Sequence, residues 1–395
     1  MSSRTHLATA LALGLVLGCS GDDTAASDSG TAVPTDSARD SSARDSGEVV
    51  DGARPDVGSP RDGGRVSADS GAPGDAAIDA TTDASPLTAA RCFADAYASA
   101  PPIAPNYEAA MATIGSHCFG TNHQSITGVE RVVFLGDSVT AGTQPTLSAQ
   151  FYRSIVADGL ATRFGLTPPS AVWKTTNPLT GTSSVRESGA FASCAEWGGD
   201  TNDLLSPGTQ IGECFPESRR GLRTLVIMTV GGNDVADITR HGVEGVPIPD
   251  IWDEVRTFVQ QLEDAIRWLK EPGRFPAGVD VVFGNMYEFT DGTGVVTDCD
   301  AARLAGFSSD WDDPSILADM VVYAEEQYMR IAVETGSDMI FLFEEFCGHG
   351  FNHGDSTAPC YRGPGTPLWF DVSCTHPNPA GHQAIADMFL AVVDE

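Results

Sequence analysis

Past residue 130 the chain alternates short apolar runs with longer stretches of helical period. The runs are residues 132–135, 224–230, 279–283 and 338–342, and the first two end in glycine. A run apolar at consecutive positions reads as a strand buried on both faces, as in a parallel sheet. Between the runs, Leu147, Phe151, Ile155 and Phe164 recur near helical spacing, and Ile251, Val255, Phe258, Val259, Leu262, Ile266 and Leu269 form a clear stripe. Further stripes are Leu317, Met320, Val321, Ala324, Tyr328 and Ile331, then Ile385, Met388, Phe389 and Val392. Strands alternating with helices predict βαβ units, and hence an α/β protein: a three-layer α/β/α sandwich with a mostly parallel sheet. The stripes are core packing and need no functional reading.

Chemistry collects where these strands stop. The first runs into Gly136-Asp137-Ser138, the second into Gly231-Gly232-Asn233-Asp234, and Gly198-Gly199 follows Cys194-Ala195-Glu196-Trp197. Open α/β sheets place ligands at the carboxyl edge of their strands, so Ser138 is the candidate nucleophile. A helix starting directly after it would leave free backbone N–H groups facing any developing negative charge. His376, in Thr375-His376-Pro377-Asn378, stands just before the last helix, and its prolines stiffen that entry.

The amino-terminal part changes the picture of where the protein works. Arg4 precedes an apolar run over 7–18 that ends at Cys19, too short to span a bilayer but suited to an export signal. Residues 20–85 hold no aromatic residue and carry 14 acids against 5 arginines. Such a segment cannot bury enough apolar surface to offset its ordering entropy, so it is expected to be a disordered linker. Residues 86–395 form the expected folded domain. Of the chain's net charge of −31, this domain carries −23, which argues against nucleic acid as a partner.

Eight cysteines remain after Cys19, an even number that favours disulfides in an exported chain. Nearness in sequence pairs Cys92 with Cys118, Cys194 with Cys214 and Cys347 with Cys360, leaving Cys299 for Cys374. No Cys-x-x-Cys pair exists, and neither His349, His353 and Asp355 nor Asp291, Asp298 and Asp300 have the spacing of a metal site, so no metal or cofactor is expected. Trp197, Met286, Tyr287, Phe289, Trp369 and Phe370 are candidate pocket residues, with core packing as the plainer reading.

Gly136-Asp137-Ser138, Gly199, Gly232-Asn233-Asp234 and His376-Pro377-Asn378, taken in that order, resemble the blocks of the SGNH branch of the GDSL hydrolases, a family of esterases and lipases. The resemblance covers about 130–393. It implies a flavodoxin-like central sheet, Ser138 as nucleophile, His376 as general base, and an oxyanion hole from the Ser138 N–H, Gly199 and Asn233. The implied partner is an ester of a small molecule, lipid or carbohydrate, acted on by a monomer. An acyltransferase on the same site, or a catalytically silent binding protein on the same fold, are the alternatives. Val16-Leu17-Gly18-Cys19 likewise resembles a bacterial lipoprotein signal over residues 1–19. That likeness implies lipidation of Cys19 and, with Ser20 following, anchorage in the cell envelope at the outer membrane. One position departs from the family. The usual aspartate three residues before the histidine is Ser373 here, and the nearest upstream carboxylate is Asp371. Either the loop curls back to present Asp371, or the Ser373 backbone carbonyl orients the ring.

Overall fold

Strand β1, Arg131–Gly136, is buried at every position and takes parallel partners on both sides, in a computed structural model that describes residues 87–98, 104–206, 209–305, 307 and 309–395. The expected leader 1–19, with Cys19, and the whole of the linker 20–85 lie outside the described residues. The other strands are β2 (Glu187–Ser188), β3 (Phe191–Ser193), β4 (Thr224–Thr229), β5 (Val279–Gly284) and β6 (Asp338–Ile340). They form one six-stranded sheet in the order β2-β3-β1-β4-β5-β6, parallel throughout except for β2 against β3.

Side chains of a strand alternate between faces, so a continuous apolar run serves two cores at once. Val133 and Leu135 of β1, with Val226 and Met228 of β4, pack with the helices Ile248–Lys270 and Pro314–Thr335. Val132, Phe134, Leu225 and Ile227 face the opposite way, onto Tyr152–Phe164 and Pro379–Asp394. The three layers follow from that alternation. In Ile248–Lys270 every residue of the stripe is buried, each side chain contributing roughly 1.5–3 kcal/mol on burial. The helix stops before Pro272, which forces Glu271 into extended backbone (ψ 125°). Pro314–Thr335 has its own punctuation: Asp313 caps its first turn, and Gly336 ends it at φ 58°, a left-handed conformation that glycine adopts without penalty.

Not every element was legible in the pattern. Strands β2 and β3 hold two and three residues, too few to register as a run. The helix Gly232–Val243 begins inside the Gly-Gly-Asn-Asp segment and carries few large apolar residues, though those it has share one face. The last expected strand is shorter than its apolar run, because Leu342 opens a helical turn, Leu342–Phe346. Residues 104–129 cover the free edge of β6: Gly120 bridges Ile340, and the Thr121 N–H donates to the Met339 carbonyl at 2.9 Å. A covered edge cannot template pairing with another chain. Four disulfides join Cys92 to Cys118, Cys194 to Cys214, Cys299 to Cys374 and Cys347 to Cys360. Among the described residues no helix is long and apolar enough to cross a membrane.

Candidate active site

The chain leaves β1 for β3 on one side and returns to β4 on the other, so the carboxyl ends of three neighbouring strands diverge around Ser138. This is the switch point at which open sheets form a crevice. Gly136 ends β1 at φ 125°, and a Cβ there would lie 2.0 Å from the Thr229 carbonyl oxygen of β4, so only glycine fits the turn. Asp137 caps the short helix Ser138–Ala141 by accepting from the Val139 N–H at 2.9 Å. Burial pushes the Asp137 carboxyl up to about 7, against the hydrogen bonds that favour its charge. Ser138 is the first residue of that helix, where the backbone N–H has no partner within the helix.

The Ser138 Oγ lies 2.8 Å from His376 Nε2. Burial lowers the affinity of His376 for a proton, and the charge of Asp371 raises it, burial being the larger effect. A neutral imidazole next to a serine hydroxyl is the arrangement a general base requires. The histidine loop is held on both sides: Phe370 bridges Pro377, and the Tyr287 hydroxyl donates to the Thr375 carbonyl. Behind it, Asn378 caps the last helix by accepting from Ala380 at 2.9 Å and Gly381 at 3.0 Å.

Asn233 and Gly199 meet across the crevice, where the Asn233 Nδ2 donates to the Gly199 carbonyl at 2.8 Å. An amide nitrogen has two hydrogens, so one is not used by this bond. The Gly199 N–H closes a turn onto the Glu196 carbonyl at 3.2 Å. A Cβ on Gly199 would lie 3.0 Å from the Gly136 carbonyl oxygen and 3.1 Å from Gln210 Nε2, so a side chain there would be tight and its neighbours would have to give by a few tenths of an ångström. Asp234 accepts from both the Thr201 N–H (3.1 Å) and hydroxyl (2.8 Å), tying the Gly199 loop to the Asn233 helix, and burial pushes its carboxyl up to about 7.

The third partner of the imidazole is neither of the two expected from sequence. Asp371 makes no direct bond to the ring, and the Ser373 backbone carbonyl is not the contact. The Ser373 hydroxyl itself sits 3.1 Å from His376 Nδ1 and donates to Asp371 Oδ1. Sequence reasoning also missed Gln210, which accepts from the Gly136 N–H at 2.7 Å and donates back to its carbonyl at 2.9 Å. Nothing in the local sequence around Gln210 signals that long-range pairing.

The remaining candidates are accounted for locally. His382 Nδ1 accepts from the Tyr152 N–H at 3.2 Å amid the Phe151 and Tyr152 rings. His349 Nδ1 bonds the Pro367 carbonyl and its ring stacks on Trp369 at 3.6 Å; His353 Nδ1 bonds the Gly350 carbonyl, and Asp355 accepts from Thr357. Among the described residues, the one cluster with metal-ligand content is Glu288 with Cys347 and Cys360, whose sulfurs are joined in a disulfide and offer no thiolate. Met286 and Phe370 are buried, Tyr287 and Phe289 pack in an aromatic cluster, and Trp197 is exposed beside the site, its Nε1 donating to the Gly142 carbonyl at 3.0 Å.

No curated protein matches the sequence. Among solved structures, a gut microbial diltiazem-metabolizing enzyme aligns with 69% of this chain at 14% identity and a TM-score of 0.43, and the match spans about half (49%) of that protein. An extracellular lipase from Streptomyces rimosus aligns with 67% of this chain and 99% of its own length, at 18% identity and a TM-score of 0.37. An acetyl xylan esterase gives 15% identity, 67% and 99% coverage, and a TM-score of 0.37. The model of the GDSL-like lipase/acylhydrolase family matches residues 134–384, a span that takes in Ser138, Gly199, Asn233 and His376, and the chain belongs to that family.

Proposed function

We propose that this acylhydrolase is a serine esterase that cleaves a carboxylic ester through an acyl-enzyme on Ser138. The observation that carries the reading is the 2.8 Å approach of Ser138 Oγ to His376 Nε2 at the carboxyl edge of β1. In that reading His376 Nε2 takes the hydroxyl proton as Oγ attacks the ester carbonyl, and returns it to the leaving alcohol. Water then repeats the sequence to release the acid. The tetrahedral oxygen is met by the Ser138 N–H and the second Asn233 Nδ2 hydrogen. The Gly199 N–H joins them by exchanging its long bond to Glu196 for the charged oxygen.

The test is Ser138→Ala assayed with a nitrophenyl ester. Turnover should vanish while the thermal midpoint moves little, since a half-buried serine hydroxyl packs little. Retained turnover would sink the assignment. A chain-length series of the same esters reads pocket depth and so separates long-chain lipid from acetyl substrates. Product analysis with added alcohol separates hydrolysis from acyl transfer. We further propose export through residues 1–19 and attachment of a lipid to Cys19, with 20–85 as the tether. The motif ending at Cys19 supports this. Wild-type protein partitioning into detergent, with Cys19→Ser left in the aqueous phase, is the expected result; free mature protein in the medium refutes it.

A further inference from the structure

We propose that Ser373 is a positioning residue that relays Asp371 to the catalytic imidazole, so that the site works as a chain Ser138–His376–Ser373–Asp371 and not as a dyad or a direct triad. The inference rests on the esterase reading above. Its core is an accounting of one hydroxyl. A serine Oγ has one hydrogen and two lone pairs. The Ser373 hydroxyl donates to Asp371 Oδ1, which commits its one hydrogen. Toward His376 Nδ1, 3.1 Å away, Ser373 must then accept; the other hydroxyl in reach, Thr375 at 3.5 Å, turns its hydrogen to Ser373 Oγ and so accepts too, which places the ring proton on Nδ1. That leaves Nε2 unprotonated and facing Ser138 Oγ, the tautomer a general base needs.

Without the carboxylate the hydroxyl is free to turn and donate to Nδ1. The proton would then sit on Nε2, and His376 could not accept one from Ser138. Asp371 thus selects the tautomer through Ser373, and its charge also favours the imidazolium formed during reaction. The loop is built for this. The Asp371 N–H donates to the His376 carbonyl at 2.8 Å, folding the chain back so that a carboxylate five residues upstream reaches the serine three residues upstream. The Ser373 N–H donates to Asp371 Oδ1 at 2.8 Å, and the His376 N–H donates to Ser373 Oγ at 3.1 Å, so both groups are fixed from two sides.

The experiment compares Ser373→Ala, Ser373→Thr, Ser373→Asp and Asp371→Asn, alone and Asp371→Asn combined with Ser373→Asp, by kcat, KM, thermal midpoint and the pH profile of kcat/KM on a nitrophenyl ester. Loss of a hydrogen bond to a group that becomes charged should lower kcat in Ser373→Ala by ~10- to 100-fold, with KM within about twofold because Ser373 does not touch substrate. Ser373→Thr keeps the hydroxyl and should recover most of kcat. Ser373→Asp puts a carboxylate directly on Nδ1 and should recover it as well; in that background the cost of Asp371→Asn should shrink by about tenfold or more. Asp371→Asn alone should move the acidic limb of kcat/KM to lower pH, since removing a nearby negative charge lowers the proton affinity of His376. Two results overturn the relay: Ser373→Ala with wild-type kcat and an unmoved acidic limb, or all three Ser373 variants equally damaged together with a lowered midpoint, which reduces Ser373 to a turn former. Turnover by Ser138→Ala would instead defeat the esterase reading beneath it.

Discussion

Gln210→Ala is the sharpest probe of how the fold holds Ser138, the proposed nucleophile. Gln210 is buried, and its amide closes two bonds onto one peptide unit, accepting from the Gly136 N–H at 2.7 Å and donating to the Gly136 carbonyl at 2.9 Å. Truncation leaves the carbonyl one partner, the Glu196 N–H at 3.1 Å, but strips the buried Gly136 N–H of its acceptor. An unsatisfied buried donor costs about 1–3 kcal/mol, and the space left by the side chain adds roughly 1 kcal/mol. A loss of about 2–4 kcal/mol should lower the midpoint by roughly 4–10 °C for a domain of this size. Because Gly136 lies two residues before Ser138, kcat should also fall, by about tenfold for a displacement of a fraction of an ångström. Gln210→Glu separates hydrogen bonding from packing. It keeps the acceptor for the N–H but turns an oxygen onto the Gly136 carbonyl, so it should be mild at pH 5, where a buried carboxyl holds its proton and donates, and damaging at pH 8. Calorimetry at both pH values with a parallel ester assay measures all of this. A Gln210→Ala midpoint within about 1 °C of wild type with kcat within twofold would refute the clamp.

Asn233→Ala should lower kcat by about 10²–10³ with little change in KM, as for loss of one oxyanion donor; a pure KM effect would place Asn233 in substrate binding. Opening the bond between Cys299 and Cys374 with a double serine variant should cost about 4–5 kcal/mol through the unfolded chain, given a sequence separation of 75, and should depress kcat as well, because Cys374 stands two residues from His376. An unchanged midpoint would show that the crosslink constrains nothing. Stability should rise as pH falls from 8 to 5. Burial holds Asp137, Asp234 and Glu344 up to about 7 and Asp291 and Asp338 up to about 6, so these groups favour the fold fully below their unfolded values near 4 and lose that contribution as pH rises through their folded values. His123, His349 (about 4), His382 (about 3) and His376 are lowered by burial and oppose the trend below pH 6.5, but the carboxyls raised by burial, Glu288 and Glu325 among them, outnumber them. A midpoint that falls on acidification, or a Glu344→Gln variant with an unflattened profile, would contradict the protonated carboxyls.

What the sequence disclosed tracks how local each cause is. Apolar runs of four or more residues and the stripe from Ile251 to Leu269 betray themselves because burial on both faces, or on one helical face, leaves a period in the chain. Ser138, Asn233 and His376 were legible because each adjoins an element that is itself legible: the first two follow a strand and the third precedes the last helix. Strand β3 was not, since three residues carry no period and its place beside β1 is fixed by the Cys194–Cys214 crosslink and by pairing with residues nearly sixty positions away. Gln210 and the Ser373 hydroxyl were missed for the same reason. Their roles exist only in three-dimensional contact, and each is a residue type that commonly sits in loops with no role at all.

The position of Asp371 has an energetic consequence that sets the scale for its removal. A carboxylate bonded directly to an imidazole places opposite charges about 4 Å apart in the reacting state, worth roughly 4 kcal/mol at an effective dielectric of 20. Inserting a hydroxyl adds part of a hydrogen-bond length, to about 5.5–6 Å, and the same expression falls to roughly 3 kcal/mol. The relay therefore weakens the charge effect by about 1 kcal/mol but does not abolish it, while the selection of the tautomer passes through Ser373 undiminished. Asp371→Asn removes the charge yet keeps an oxygen that can accept from the Ser373 hydroxyl, so part of the orientation survives. Its penalty should accordingly lie well below the ~10⁴ lost when a directly bonded triad aspartate is amidated, and above the factor of about two expected of a half-buried loop residue. A penalty near 10⁴ would mean that Asp371 swings onto Nδ1 during turnover, displacing Ser373; a penalty below twofold would mean that the Ser373 hydroxyl holds the imidazole unaided.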